Sequence, residues 1–136
     1  MTPLSQWALS NEEEEKIKSL FLKELVRINV AKEMESLLKA LLSESEYLMV
    51  AKRLVAFVLI DDGYTDVQIS KTLHVTRATA NRFRLIYQHA QEKSDVVVAI
   101  VQKVKASNAL KQVLKDILFK YALPAALGKI PKRSIF

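Results

Sequence analysis

Apolar residues in this chain recur mostly at helical spacing. Ile17, Leu20, Phe21, Leu25 and Ile28 follow one another at intervals of one to four, and Met34, Leu37, Leu38 and Leu41 repeat the pattern. Such a period places each set on one face of an α-helix. Polar residues mark where the helices begin. Ser10 and Glu13 form a capping box, and the acidic run Glu12–Glu15 suits the positive end of a helix dipole, so that run reads as a helix start rather than a metal site. A second helix is predicted over Ala31–Leu42. Ser43 and Glu46 form another box and open a helix from Glu44 to about Asp62, with Leu48, Ala51, Leu54, Val55, Val58 and Leu59 toward the core. Gly63, which tolerates φ > 0, ends it.

Two shorter elements follow. Thr65 and Gln68 box the start of a short helix whose apolar contacts are Val67, Ile69 and Leu73. His74 and Val75 make a tight turn with Val75 as the plug, and Thr76 caps a helix that begins at Arg77. His74 stands where many such turns place glycine; a left-handed His carries a modest strain, and it reads as a tolerated turn residue. Ser94 and Asp95 then cap Val96–Val101. That β-branched run could form a strand, but the cap before it and the lack of a partner strand favour helix. Asn108 is the expected cap of a last helix running to about Tyr121, with Leu110, Val113, Leu114, Ile117 and Leu118 apolar. Pro124, Gly128 and Pro131 break structure beyond it, leaving a basic tail over 129–136, and Met1–Leu9 is an arm in which Trp7 anchors packing.

The expected class is therefore all-α, a multi-helix bundle in a single domain over 1–136. Its composition agrees: half of the 136 residues are hydrophobic, and only two glycines and three prolines occur. With no cysteine, disulfides and thiolate metal sites are excluded. No apolar run approaches the ~18–20 residues of a membrane span, and Met1–Ser10 lacks the pattern of a signal peptide. The expected location is cytoplasmic, with no membrane partner. No carboxylate pair, Ser-His-Asp set or phosphate-cradling glycine loop is present, so the chain reads as non-enzymatic, with no catalytic residue, metal or cofactor expected. His89 reads as an ordinary surface or core histidine.

Charge narrows the class of partner. The net charge is +6, yet residues 1–63 hold 8 basic and 11 acidic groups, residues 64–93 hold 5 and 2, and residues 94–136 hold 8 and 2. A basic middle and C-terminal part fits a polyanion such as nucleic acid or an acidic membrane surface, or else a lysine-rich solvated face. The helix beginning at Arg77 favours nucleic acid over a merely solvated face. At 100° per residue Ala80, Phe83, Tyr87 and Ala90 share a side that packs inward. Arg77, Asn81, Arg84 and Gln88 share a narrow stripe, flanked by Ala78 and Arg82, and no acidic residue lies between Asp66 and Glu92. Arg can offer a donor pair to guanine, Asn matches adenine, and Thr, Lys and helix N-terminal amides hold phosphates. Small residues let such a helix lie deep in the major groove.

The stretch Leu37-Leu38, Leu42-Ser43-Glu44-Ser45-Glu46, Ala51-Lys52-Arg53, Gly63-Tyr64-Thr65 and the following helix-turn-helix to about Tyr87 resembles the Trp repressor family and its YerC-like members. Weaker similarity reaches back to about Ser10. The resemblance implies an intertwined homodimer in which residues 10–62 supply dimerisation helices, residues 63–91 the helix-turn-helix, and residues 94–136 a C-terminal extension. It also implies a palindromic operator in double-stranded DNA, read by helices about one DNA turn apart. Matching positions give Arg77, Ala78 and Asn81 as base readers, with Ser70, Lys71 and Thr79 in backbone or secondary contacts. Arg84 joins the first group from the stripe; Thr65, Thr76 and Arg82 join the second. Tryptophan corepressor binding in the family involves positions matching Ser43, Arg53, Arg82 and Phe83, a candidate effector pocket. Phe83 stands where the tryptophan-binding member has glycine, so no tryptophan corepressor is expected, and Arg53 should find a structural partner or a DNA phosphate. The apolar groups of 96–101 and 110–118 could enlarge the dimer interface, and Lys120, Lys129, Lys132 and Arg133 could add phosphate contacts. The leading expectation is a sequence-specific DNA-binding transcriptional regulator, a repressor that occludes a promoter. The alternative is a helical interaction module that binds protein or RNA.

Overall fold

The structure, a computed structural model, describes residues 8–117. The expected Trp7 anchor, the helix end near Tyr121 and the basic tail lie outside the described residues. Seven helices and no strand occupy them: α1 (Asn11–Arg27), α2 (Ala31–Leu41), α3 (Glu44–Asp61), α4 (Asp66–Leu73), α5 (Arg77–Lys93), α6 (Asp95–Ala106) and α7 (Asn108–Ile117). The chain is all-α, and the β-branched run after Ser94 is helical. No described helix is long and apolar enough to cross a membrane.

The chain divides into two compact units, Met1–Tyr47 and Leu48–Phe136. The first contains α1, α2 and the opening turn of α3. Its starts are set by reciprocal boxes: Glu13 N–H donates to Ser10 Oγ at 3.2 Å while Ser10 N–H donates to Glu13 at 2.9 Å, and Glu46 and Ser43 repeat the exchange at 3.1 and 2.8 Å. Each exchange satisfies two amides that a helix start leaves orphaned. No residue of α1 or α2 is buried; Ile17, Leu20 and Phe21 are all exposed.

The second unit holds the core, built from Ala56, Val58 and Leu59 of α3, Ile69 and Leu73 of α4, Ala80, Phe83 and Tyr87 of α5, and Val101, Leu110 and Leu114 of the last two helices. The face expected of α3 needs correction. Val58 and Leu59 are buried and Val55 packs beside them, but Leu48, Ala51 and Leu54 are exposed, and Ala56 takes an inner place. From Leu48 to Ile60 this helix is apolar almost all round, so periodicity alone cannot select its inner face. At its end Gly63 adopts φ 92°, and the Tyr64 and Gly63 amides bond back to the Leu59 and Ile60 carbonyls at 2.9 and 3.1 Å.

The C-terminal helices seat on this core. Ser94 Oγ accepts from Val97 N–H. The last cap is Ser107, whose Oγ accepts from Leu110 N–H at 3.2 Å, rather than Asn108, which is already the first helical residue. Val101, Leu110 and Leu114 are thus spent inside their own chain, while Val96, Ile100 and Val113 stay exposed.

A polar knot fastens the assembly. Asp61 accepts from the Tyr87 hydroxyl at 3.1 Å, from Gln102 at 2.7 Å and from Lys105 at 3.3 Å, and Lys105 also reaches Asp62 at 3.3 Å. Phe57 stacks on Tyr87 with ring centroids 5.1 Å apart. Burial, then the hydrogen bond to Asp61 and its negative charge, push the Tyr87 phenol up from 10 to about 12. A raised folded value means that this stabilisation is complete below the unfolded value and is lost as pH climbs through the folded one. Between pH 10 and about 12 the protein should lose about 2–3 kcal/mol on this account. Urea titrations across that window should show the loss in the native chain and a smaller one in Tyr87→Phe. Identical slopes for the two would remove Tyr87 as its source.

Candidate nucleic-acid interface

Local chemistry sets the helix pair α4–α5. Thr65 Oγ1 accepts from Gln68 N–H at 3.2 Å and Thr65 N–H donates to Gln68 at 2.9 Å, which fixes where α4 starts. His74 ends α4 in the left-handed region, at φ 55° and ψ 53°. The amides of His74 and Val75 both turn back to the Ser70 carbonyl, the Ser70 hydroxyl donates to the Val75 carbonyl, and Lys52 Nζ on α3 donates to the His74 carbonyl at 3.3 Å. These bonds offset the strain of a non-glycine residue at positive φ, a cost on the order of 1 kcal/mol. Val75 packs against the core, and Thr76 opens α5 by accepting from Thr79 N–H at 3.0 Å.

With Ala80, Phe83 and Tyr87 turned inward, the opposite side of α5 leaves Arg77, Ala78, Asn81 and Arg82 exposed, with Lys71 exposed on α4. Arg77, Arg82 and Lys71 make no ion pair among the described residues, and the first turn of α5 holds no acidic group. Thr65 and Thr76 are exposed and Thr79 is half-buried, its Oγ1 accepting from the Thr76 hydroxyl at 2.9 Å.

Two expected contacts are employed differently. Arg84 is not on the open stripe: one turn beyond the buried Ala80, it lies only about 40° round the helix from it, at the seam with α4. There its Nε donates to Asp66 Oδ1 at 2.7 Å and its Nη2 to the Tyr64 carbonyl at 2.7 Å. Ser70 is half-buried and its hydroxyl serves the turn. Two further participants are not evident from the sequence pattern, Lys52 at the turn and Asp66 beside the stripe. No local signal marks either, because their partners lie 22 and 18 residues away.

Asp66 gives the surface its one acidic feature among the described side chains. Burial pushes its carboxyl up, but hydrogen bonds from Arg84 and Asn81 and the charges of Arg84 and Arg77 outweigh that and hold it below the ordinary carboxylate range. Beside it lies an open depression of about 640 Å³ lined by Asp66, Val67, Arg77, Ala78 and Arg84, among others.

The four residues of the candidate effector pocket have separate employments. Ser43 caps α3, Arg82 is exposed, and Phe83 is 1% exposed in the core with the Arg53 guanidinium 5.6 Å above its ring. Arg53 therefore has a structural partner, a cation over an aromatic face. Compared with known protein families, curated proteins and solved structures, the chain matches none.

Proposed function

We propose that this protein is a sequence-specific double-stranded DNA-binding protein of Trp repressor-like type, acting as a homodimeric transcriptional repressor on a palindromic operator. The observation that carries this reading is the outward edge of α5, where Arg77, Ala78, Asn81 and Arg82 stand exposed beside a helix start free of acidic groups. Arg77 and Asn81 read base edges, Ala78 permits close approach, and Lys71, Arg82, Thr65, Thr76, Thr79 and the first amides of α5 hold phosphates. Arg84 leaves the reading set. The exposed Ile17, Leu20 and Phe21 of α1 suit burial against a second copy. The buried ring of Phe83, already covered by Arg53, argues against tryptophan as corepressor. Bound at a promoter, the pair would exclude polymerase by occupancy.

Selection of bound duplexes from a random pool tests the proposal: a palindrome is the expected product, and a pool without enrichment ends the reading. Arg77→Ala should weaken binding to the selected site by about 1–3 kcal/mol and relax preference at one base pair per half-site. Equal losses on selected and random duplexes would deny Arg77 a base-reading role.

A further inference from the structure

Asp66 has no evident place on a surface meant for a polyanion. Its side chain is 30% exposed, it borders the outward edge of α5, and a carboxylate there repels every phosphate alike. Its surroundings nevertheless hold it in place. Arg84 grips Oδ1 at 2.7 Å and is itself anchored on the Tyr64 carbonyl at 2.7 Å. The other oxygen, Oδ2, accepts from Asn81 Nδ2 at 3.1 Å. An ionised carboxylate can only accept, so it sorts the two ends of the Asn81 amide: the NH₂ end turns to Asp66 and the carbonyl end away. An exposed Asn with no such partner would rotate among rotamers and present either end outward. Held by Asp66, it keeps Oδ1 and one N–H for an outside partner, in a fixed order.

We propose that Asp66 is a positioning residue for base recognition, which orders the Asn81 amide, with Arg84 as its buttress, so that Asn81 presents one donor and one acceptor to adenine. The proposal rests on the DNA-reading function above. Adenine offers an N7 acceptor beside an N6 donor on its major-groove edge, the complement of that pair. The same charge lowers affinity for DNA of any sequence. Asp66 thus trades general attraction for discrimination at a base it does not touch.

The test compares the native protein with Asn81→Ala, Asp66→Ala and Asp66→Asn, using duplex selection and affinity for a random duplex, with helical circular dichroism as the check on folding. Asn81→Ala identifies the base pair that Asn81 reads. At that pair Asp66→Ala should lose about tenfold in discrimination, while its affinity for random duplex stays equal or rises. Asp66→Asn keeps one acceptor oxygen for two donors and should lose less. Should Asp66→Ala fail to fold, Asp66→Asn decides alone. Unchanged preference at the Asn81 pair in a folded variant, or equal losses on selected and random duplexes, overturns the positioning role and leaves DNA reading intact. A native protein that prefers no duplex at all overturns both.

Discussion

Raising salt from about 50 to about 200 mM should weaken binding of the paired protein to its selected duplex by about a thousandfold. Lys71, Arg77 and Arg82 are the exposed cations around α4 and the start of α5 that make no close ion pair among the described residues. Two copies bring about six cations against the duplex, and each displaces condensed counterions, for a slope of about −5 in log affinity against log salt. A single copy would bring three, with a slope of about −2.7 and a loss of roughly fortyfold. One titration therefore reports both the kind of partner and the number of copies engaged. A slope near zero would discard the polyanion and favour an apolar protein partner. Arg84 adds nothing to the expected slope, because Asp66 already neutralises it.

Phe83→Ala should remove about 3–5 kcal/mol of stability, the usual cost of emptying a phenyl site in a closed core. The ring, carried by α5, is 1% exposed, in the same cluster as Leu59, Ile69 and Tyr87. It also carries the Arg53 guanidinium 5.6 Å above its face, so truncation strips a partly buried cation of its partner. Urea denaturation should show the midpoint fall with little change in slope. A loss below about 1 kcal/mol would mean that the site collapses or that Phe83 is dispensable to the core.

Local rules reached far along this chain. Capping boxes at Ser10, Ser43 and Thr65 depend on residues three apart, and each stands in the structure with both of its hydrogen bonds. His74 needs only its own φ and ψ and a neighbouring carbonyl. The last cap falls one residue before the expected Asn108, since Ser107 and Asn108 are both good caps and only the backbone distinguishes them. What escaped was tertiary. The wheel of α5 sets Arg84 near Asn81, but only the crossing of α4 brings Asp66 to both. The wheel of α3 has too many apolar sides to choose among. For α1 and α2 the pattern identifies faces but not what covers them.

Asp61 and Asp66, five positions apart, grasp α5 at two heights, one through Tyr87 and the other through Asn81 and Arg84. Between those holds the helix cannot turn about its own axis without breaking hydrogen bonds to both. Its orientation is therefore settled while the chain folds, when many other contacts share the entropy of ordering it. A partner that docks later meets a rigid bar and gives up less freedom in the encounter, so more of each new contact survives as affinity.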